Sequence, residues 1–154
     1  IYLKLIFIIS LISLISAYFI EYILGHQPCN LCLIERIPYI LSIILIFINY
    51  INKKNEKFII LLLMLIFIFS FSISVYHFGI EQNFFEESLV CGSKGEINNI
   101  SKEELLLLLS EKIVSCKDVT FRVFGLSLTS INILLSFMIT LILIRSYIIY
   151  EKIK

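Results

Sequence analysis

The sequence predicts an all-α membrane protein, a four-transmembrane-helix bundle with one long loop, and three observations carry that expectation. The chain has 154 residues, of which 59% are hydrophobic, against the roughly 45–50% apolar share of a soluble domain. Four uncharged runs, Leu5 to Ile20, Ile37 to Asn52, Phe58 to Ile80 and Val123 to Ile144, approach the ~20 apolar residues that cross a bilayer. The short link after the second run carries three lysines and shares its side with further basic residues near both chain ends, the pattern of a cytoplasmic side. A soluble protein with very apolar core helices is excluded because such helices keep a polar face that these runs lack.

The first span is expected over about 5–24. Lys4 ahead of an apolar stretch resembles a signal peptide, but no small-x-small cleavage site follows; the run passes through Glu21 and Tyr22 into Gly25-His26-Gln27-Pro28, so a retained helix is expected. The chain opens without methionine, and a few residues are expected ahead of Ile1. The second span is expected over about 33–52, the third over 58–80 and the fourth over 123–146. The loop 81–122 joins the last two, and 1–154 is expected to form a single membrane domain.

The short link Asn52-Lys53-Lys54-Asn55-Glu56-Lys57 carries three lysines and shares a side with Lys4, Arg145, Lys152 and Lys154. That side is expected to be cytoplasmic, with both termini on it. The other side holds Gly25 to Pro28 and the segment Glu81 to Asp118, with eight acids against four lysines. A net charge of +1 gives no reason to expect a nucleic-acid partner. Inside the loop, Ser101-Lys102-Glu103-Glu104 has the spacing of a capping box, so a helix is expected from Lys102 to about Val114. Its body, Leu105 to Leu109, suits a short helix lying in the membrane interface, or one packed on the tops of the spans.

This topology puts Cys29, Cys32, Cys91 and Cys116 on the outer side, where disulfides form and persist. Thiols at i and i+3 of a helix share a face, close enough to form a disulfide, and partial positive charge at a helix N-terminus favours the thiolate. Pro28 suits a helix start, because its missing N–H would have no partner there. The pattern predicts a redox pair. It also fits half a zinc site, completed by Cys91 and Cys116, although those two stand 25 positions apart where zinc sites usually use close couples.

Arg36 follows Cys32 by four residues. The uncharged stretch behind it has 16 residues, about 24 Å of helix against a ~30 Å hydrocarbon slab, so Arg36 is drawn at least to the slab's edge. A charge there is a functional-site hypothesis. Its guanidinium is placed to stabilise a Cys32 thiolate and the anionic oxygen of a reduced quinone. The bland readings are snorkelling to headgroups or pairing with Glu35. His77, at the outer end of the third span, is suited to donating to a quinone carbonyl or exchanging a proton, whereas His26 is expected to be a solvated loop residue. Two outer histidines also admit a bis-histidine haem or metal carrier, which leaves the cysteines unexplained. A third reading is a tetraspan scaffold whose disulfides only brace loops.

The chain resembles the DsbB family of membrane disulfide-bond formation proteins. The resemblance rests on four spans, Pro28-Cys29-Asn30-Leu31-Cys32 opening the second, Glu35-Arg36 after it, Cys91 and Cys116 in the outer loop, and Phe124-Gly125-Leu126-Ser127 through Asn132 leading into the last span. Phe121 departs from the tryptophan of many relatives. The resemblance implies a bacterial inner-membrane thiol:quinone oxidoreductase. A reduced periplasmic DsbA-like oxidase of thioredoxin fold attacks the loop pair through Cys91, electrons pass to Cys29 and Cys32, and Cys32 delivers them to ubiquinone or menaquinone. Arg36 matches the family's quinone-site arginine, and His77 and Glu35 are implied beside it. Oxidising a partner near −120 mV requires a loop bridge less stable than a structural one, below roughly −300 mV, by roughly 8 kcal/mol.

Overall fold

The computed structural model describes residues 2–51, 56–87, 89–91, 114–117, 121–123 and 125–153. Among them are α1 (Tyr2–Tyr22), α2 (Asn30–Ile34), α3 (Ile37–Ile51), α4 (Glu56–Glu81), β1 (Arg122–Val123), β2 (Leu126–Ser127) and α5 (Leu128–Ile153). Taking α2 and α3 as one segment, Asn30–Ile51, four helices are long and apolar enough to cross a membrane. The chain is a multi-pass all-α membrane protein. The capped helix expected from Lys102 lies outside the described residues.

The burial pattern is that of a protein whose solvent is lipid. Large apolar side chains point outward on every span, among them Ile12, Phe19, Phe47, Phe69 and Leu134. Small polar ones are buried between helices, which lets backbones approach where apolar burial gives no advantage over lipid. The Ser42 hydroxyl donates to Ser10 Oγ at 2.9 Å and joins α3 to α1. Ser70 and Ser136 share a hydrogen bond of 3.1 Å between α4 and α5. α4 packs most extensively on α5, α1 on α3, and α3 on α4, while α1 and α5 touch only lightly. Ile6, Tyr39, Ile60, Leu63, Phe67 and Leu143 fill the centre.

Consecutive spans run in opposite directions, so the start of α4 meets the end of α5, where Lys57 Nζ stands 3.1 Å from Glu151 Oε1. At the other end of the bundle α1 stops at Tyr22. Gly25 takes φ +74, a left-handed conformation open to glycine, and the His26 N–H bonds back to the Ile20 carbonyl at 3.3 Å.

Two boundaries differ from those the apolar runs suggest, and both differences shape the site. The second span is interrupted at Glu35 and Arg36, because Pro38 has no N–H to offer the Ile34 carbonyl and its ring crowds the preceding turn. The Arg36 N–H turns to the Leu33 carbonyl at 3.2 Å, and the Ile40 N–H resumes the ladder on Arg36. The last helix begins only at Leu128. Before it, Arg122 pairs with Ser127 and Val123 with Leu126 in a hairpin turned by Gly125 at φ +84. Ser127 then caps α5, its Oγ accepting the Ser130 N–H at 3.2 Å.

Candidate functional site

Cys29 is the N-cap of α2, in extended conformation, and its sulfur accepts the Cys32 N–H at 3.3 Å. The spacing that sequence suggested thus brings the two sulfurs to 2.8 Å. Cys29 is buried and Cys32 is half-buried. The Cys29 thiol is lowered to about 5, chiefly by the hydrogen bond from the Cys32 thiol, with His77's hydrogen bond and charge adding to it and burial opposing.

Cys91 and Cys116 are joined in a disulfide, with Cα atoms 5.5 Å apart. A four-cysteine zinc site is therefore not formed, since the bridge consumes two of its ligands. The bridge packs in one buried cluster with Cys29, Leu31 and Ile80, and Cys32 lies against it. Two further contacts hold it there. The Asn30 side-chain amide donates to the Val90 carbonyl at 2.8 Å, tying the residue after Cys29 to the residue before Cys91. Glu87 accepts from the Ser115 hydroxyl, and from the Lys117 N–H at 3.2 Å, on either side of Cys116.

His77 comes up from α4 beneath the pair. Its Nε2 lies 3.5 Å from Cys29 Sγ and its Nδ1 3.0 Å from Glu35 Oε1, all of it buried. Glu35 reaches His77 because the interruption at Pro38 turns it into the bundle. Its other oxygen accepts from Asn132 Nδ2 at 3.0 Å, and the same amide donates to Ser74 Oγ at 2.7 Å. Tyr39 donates its hydroxyl to Asn132 Oδ1. A chain of partners thus runs from Cys29 through His77, Glu35 and Asn132 to Tyr39, drawing on four helices.

Arg36 does not pair with Glu35, as one sequence reading allowed. It reaches across to α1, where its Nη1 stands 2.5 Å from Glu21 Oε2 and its guanidinium carbon 5.0 Å from the Tyr18 ring centre. The Arg36 side chain is 12% exposed. His26 is likewise not a freely solvated loop residue. It is half-buried, its ring 5.0 Å from that of Phe121.

Cys29, Cys32, Arg36, Tyr39 and His77 all border one cavity of about 530 Å³, which is otherwise largely apolar and walled by α1 and α5. That size lies within the range of small-molecule sites, and so does the pattern of a few polar groups on an apolar wall. Sequence reasoning named the cysteines, Arg36, His77 and Glu35 but gave Glu21 and Asn132 no role. The available signal was that each is a polar residue inside or at the end of an apolar run.

A family model described as disulfide bond formation protein DsbB matches residues 1–145. Among curated proteins, the uncharacterised protein RP370 of Rickettsia prowazekii (strain Madrid E) is 31% identical over 130 residues, covering 83% of this chain and 76% of that protein. No solved structure matches the chain.

Proposed function

The chain belongs to the DsbB family and so to membrane disulfide bond formation, and from that premise we propose that it is a thiol:quinone oxidoreductase of the bacterial inner membrane. Its termini face the cytoplasm and its cysteines the periplasm, as the lysine distribution supports. The observation that carries the reading is the single buried cluster in which the Cys91–Cys116 bridge packs against Cys29, directly above the cavity bordered by Cys32, Arg36 and His77.

The relay begins with a reduced DsbA-like protein. One of its thiolates attacks Cys91 Sγ, the Cys91–Cys116 bond breaks, and Cys116 leaves as thiolate; the second partner thiol resolves the mixed disulfide and departs oxidised. The Cys91/Cys116 dithiol then reduces a Cys29–Cys32 disulfide by the same exchange and closes again, leaving Cys29 and Cys32 as the dithiol. Packing within one cluster keeps this second exchange from requiring a long movement.

The cavity's dimensions and donors suit a quinone ring, with Arg36 and His77 as the polar groups and isoleucines and leucines of α1 and α5 around them. Ubiquinone and menaquinone both meet that description. A quinone bound there as substrate would take two electrons and two protons from the Cys29/Cys32 dithiol, which closes to its disulfide, and would leave as the quinol. Arg36, held by Glu21 and Tyr18, presents positive charge where negative charge develops. His77, oriented by Glu35, exchanges a proton with Cys29. The light contact between α1 and α5 supplies a seam through which a lipid-soluble molecule reaches the cavity from the bilayer.

The rival, a bis-histidine carrier, has both histidines on the cavity border. It gives no role to a bridged cysteine pair packed on Cys29. Purified protein given a reduced thioredoxin-like protein and a quinone tests the proposal: one quinone is reduced per partner dithiol oxidised, and an absence of quinone reduction contradicts it.

A further inference from the structure

Cys29, Cys32 and His77 are also placed for a second kind of chemistry. Their sulfur and nitrogen atoms all lie within 4.8 Å of one another. Each residue borders the cavity, so a fourth position beside them opens into it. Two thiolates, one imidazole and an open position form a donor set that Zn²⁺ accepts. We propose that the reduced Cys29/Cys32 pair and His77 bind a divalent cation of the zinc class, and that oxidation of the pair to a disulfide abolishes the site.

An independent feature supports ligation by His77. Its Nδ1 faces Glu35 Oε1 at 3.0 Å; a carboxylate only accepts, so Nδ1 carries a proton, and loss of the Nε2 proton leaves a lone pair directed at the cysteines. A carboxylate behind the histidine is the usual outer support of a metal-bound imidazole. Glu35 is itself fixed by Asn132, and Asn132 by Ser74 and Tyr39. The imidazole is thus pre-oriented on the cysteine side.

The three atoms need only spread. The sulfurs are 2.8 Å apart, whereas two sulfurs at ~2.3 Å from a tetrahedral zinc stand roughly 3.8 Å apart. Rotation of the half-buried Cys32 side chain toward the cavity supplies that ~1 Å. Binding releases to solvent whatever protons the two thiols and His77 Nε2 still hold, forms two S–metal bonds and one N–metal bond, and moves no electrons. Forming the disulfide removes both thiolates and expels the cation. The binding rests on this geometry alone. Its consequence, arrest of electron flow with the inner pair trapped reduced, rests on the proposed function.

The test uses the full chain in detergent with Cys91→Ser and Cys116→Ser, reduced with a phosphine, desalted and titrated with Co²⁺. One Co²⁺ per chain is expected, with the thiolate charge-transfer and d–d bands of a tetrahedral site, displaced by Zn²⁺. After oxidation to the Cys29–Cys32 disulfide the same chain should show no such bands, a comparison free of any folding difference between variants. Glu35→Gln should weaken Co²⁺ about 10- to 100-fold while keeping the bands. Bands absent from the reduced chain, or present equally in the oxidised one, overturn the proposal, as does His77→Ala binding Co²⁺ with unchanged affinity and spectrum. Quinone reduction by the metal-free parent chain is read separately, so either proposal fails without the other.

Discussion

The Asn30 amide lies 2.8 Å from the Val90 carbonyl, so the residue after the first cysteine of the inner pair is bonded to the residue before the first cysteine of the outer pair. This exposed hydrogen bond links two segments sixty positions apart in sequence. In the proposed relay it would hold the two cysteine pairs at the distance over which thiol exchange takes place. Asn30→Ala should slow reduction of the inner pair by a pre-reduced outer pair about fivefold, if the bond contributes about 1 kcal/mol to that alignment. Quenched-flow alkylation follows the step directly, and an unaltered rate would show that the tether has no part in it.

Arg36 is paired with Glu21 rather than with Glu35, and it borders the cavity. A hydrogen bond to a charged group is worth roughly 1.5–3 kcal/mol, so Arg36→Ala should raise the apparent quinone KM at least about tenfold. Both disulfides should still form. Steady-state kinetics across quinone concentrations, together with thiol counting, check this, and an unaltered quinone dependence contradicts the role given to Arg36.

Glu35 touches His77 and Asn132 but not the reacting sulfur in any bond described. In the proposed reaction it would act as a positioning residue. Glu35→Gln keeps the shape and loses the carboxylate that selects the histidine tautomer, and should lower kcat about tenfold with quinone KM little changed. His77→Ala removes the proton-exchanging group and should lower kcat about 100-fold. Equal effects on kcat and KM in both variants would indicate a structural role only.

In the proposed relay the outer pair should be needed for protein substrates and not for small thiols. Cys91→Ser should abolish turnover with a reduced thioredoxin-like protein, while dithiothreitol, small enough to reach the half-buried Cys32 through the cavity, still drives quinone reduction. Retention of activity toward the protein dithiol would remove Cys91 from the relay.

The four spans and the four cysteines are legible in the sequence because lipid imposes long uncharged runs and because i and i+3 cysteines share a helix face. The interruption at Glu35 and Arg36 was less visible: an apolar run around Pro38 reads as continuous, although a proline inside a helix withdraws one donor and forces the turn above it to readjust. That readjustment sends Glu35 to His77 and Arg36 to Glu21. Partners on other helices are set by how the bundle closes, and a single sequence carries no direct record of that. Asn132 illustrates the point, since it was visible only as part of a motif and its bonds to Glu35, Ser74 and Tyr39 appear only in three dimensions. The late start of α5 has the same origin, because the hairpin before it depends on Gly125 and on Ser127 as cap.

The relay as a whole is tested most directly by quinone reduction in purified protein supplied with a reduced thioredoxin-like partner, comparing the natural chain with Cys32→Ser. The account predicts that the natural chain reduces quinone continuously and that Cys32→Ser, which cannot form the inner disulfide, oxidises at most one partner dithiol per chain through the Cys91–Cys116 bridge and then stops with no quinone reduced. Unchanged turnover in Cys32→Ser would contradict it.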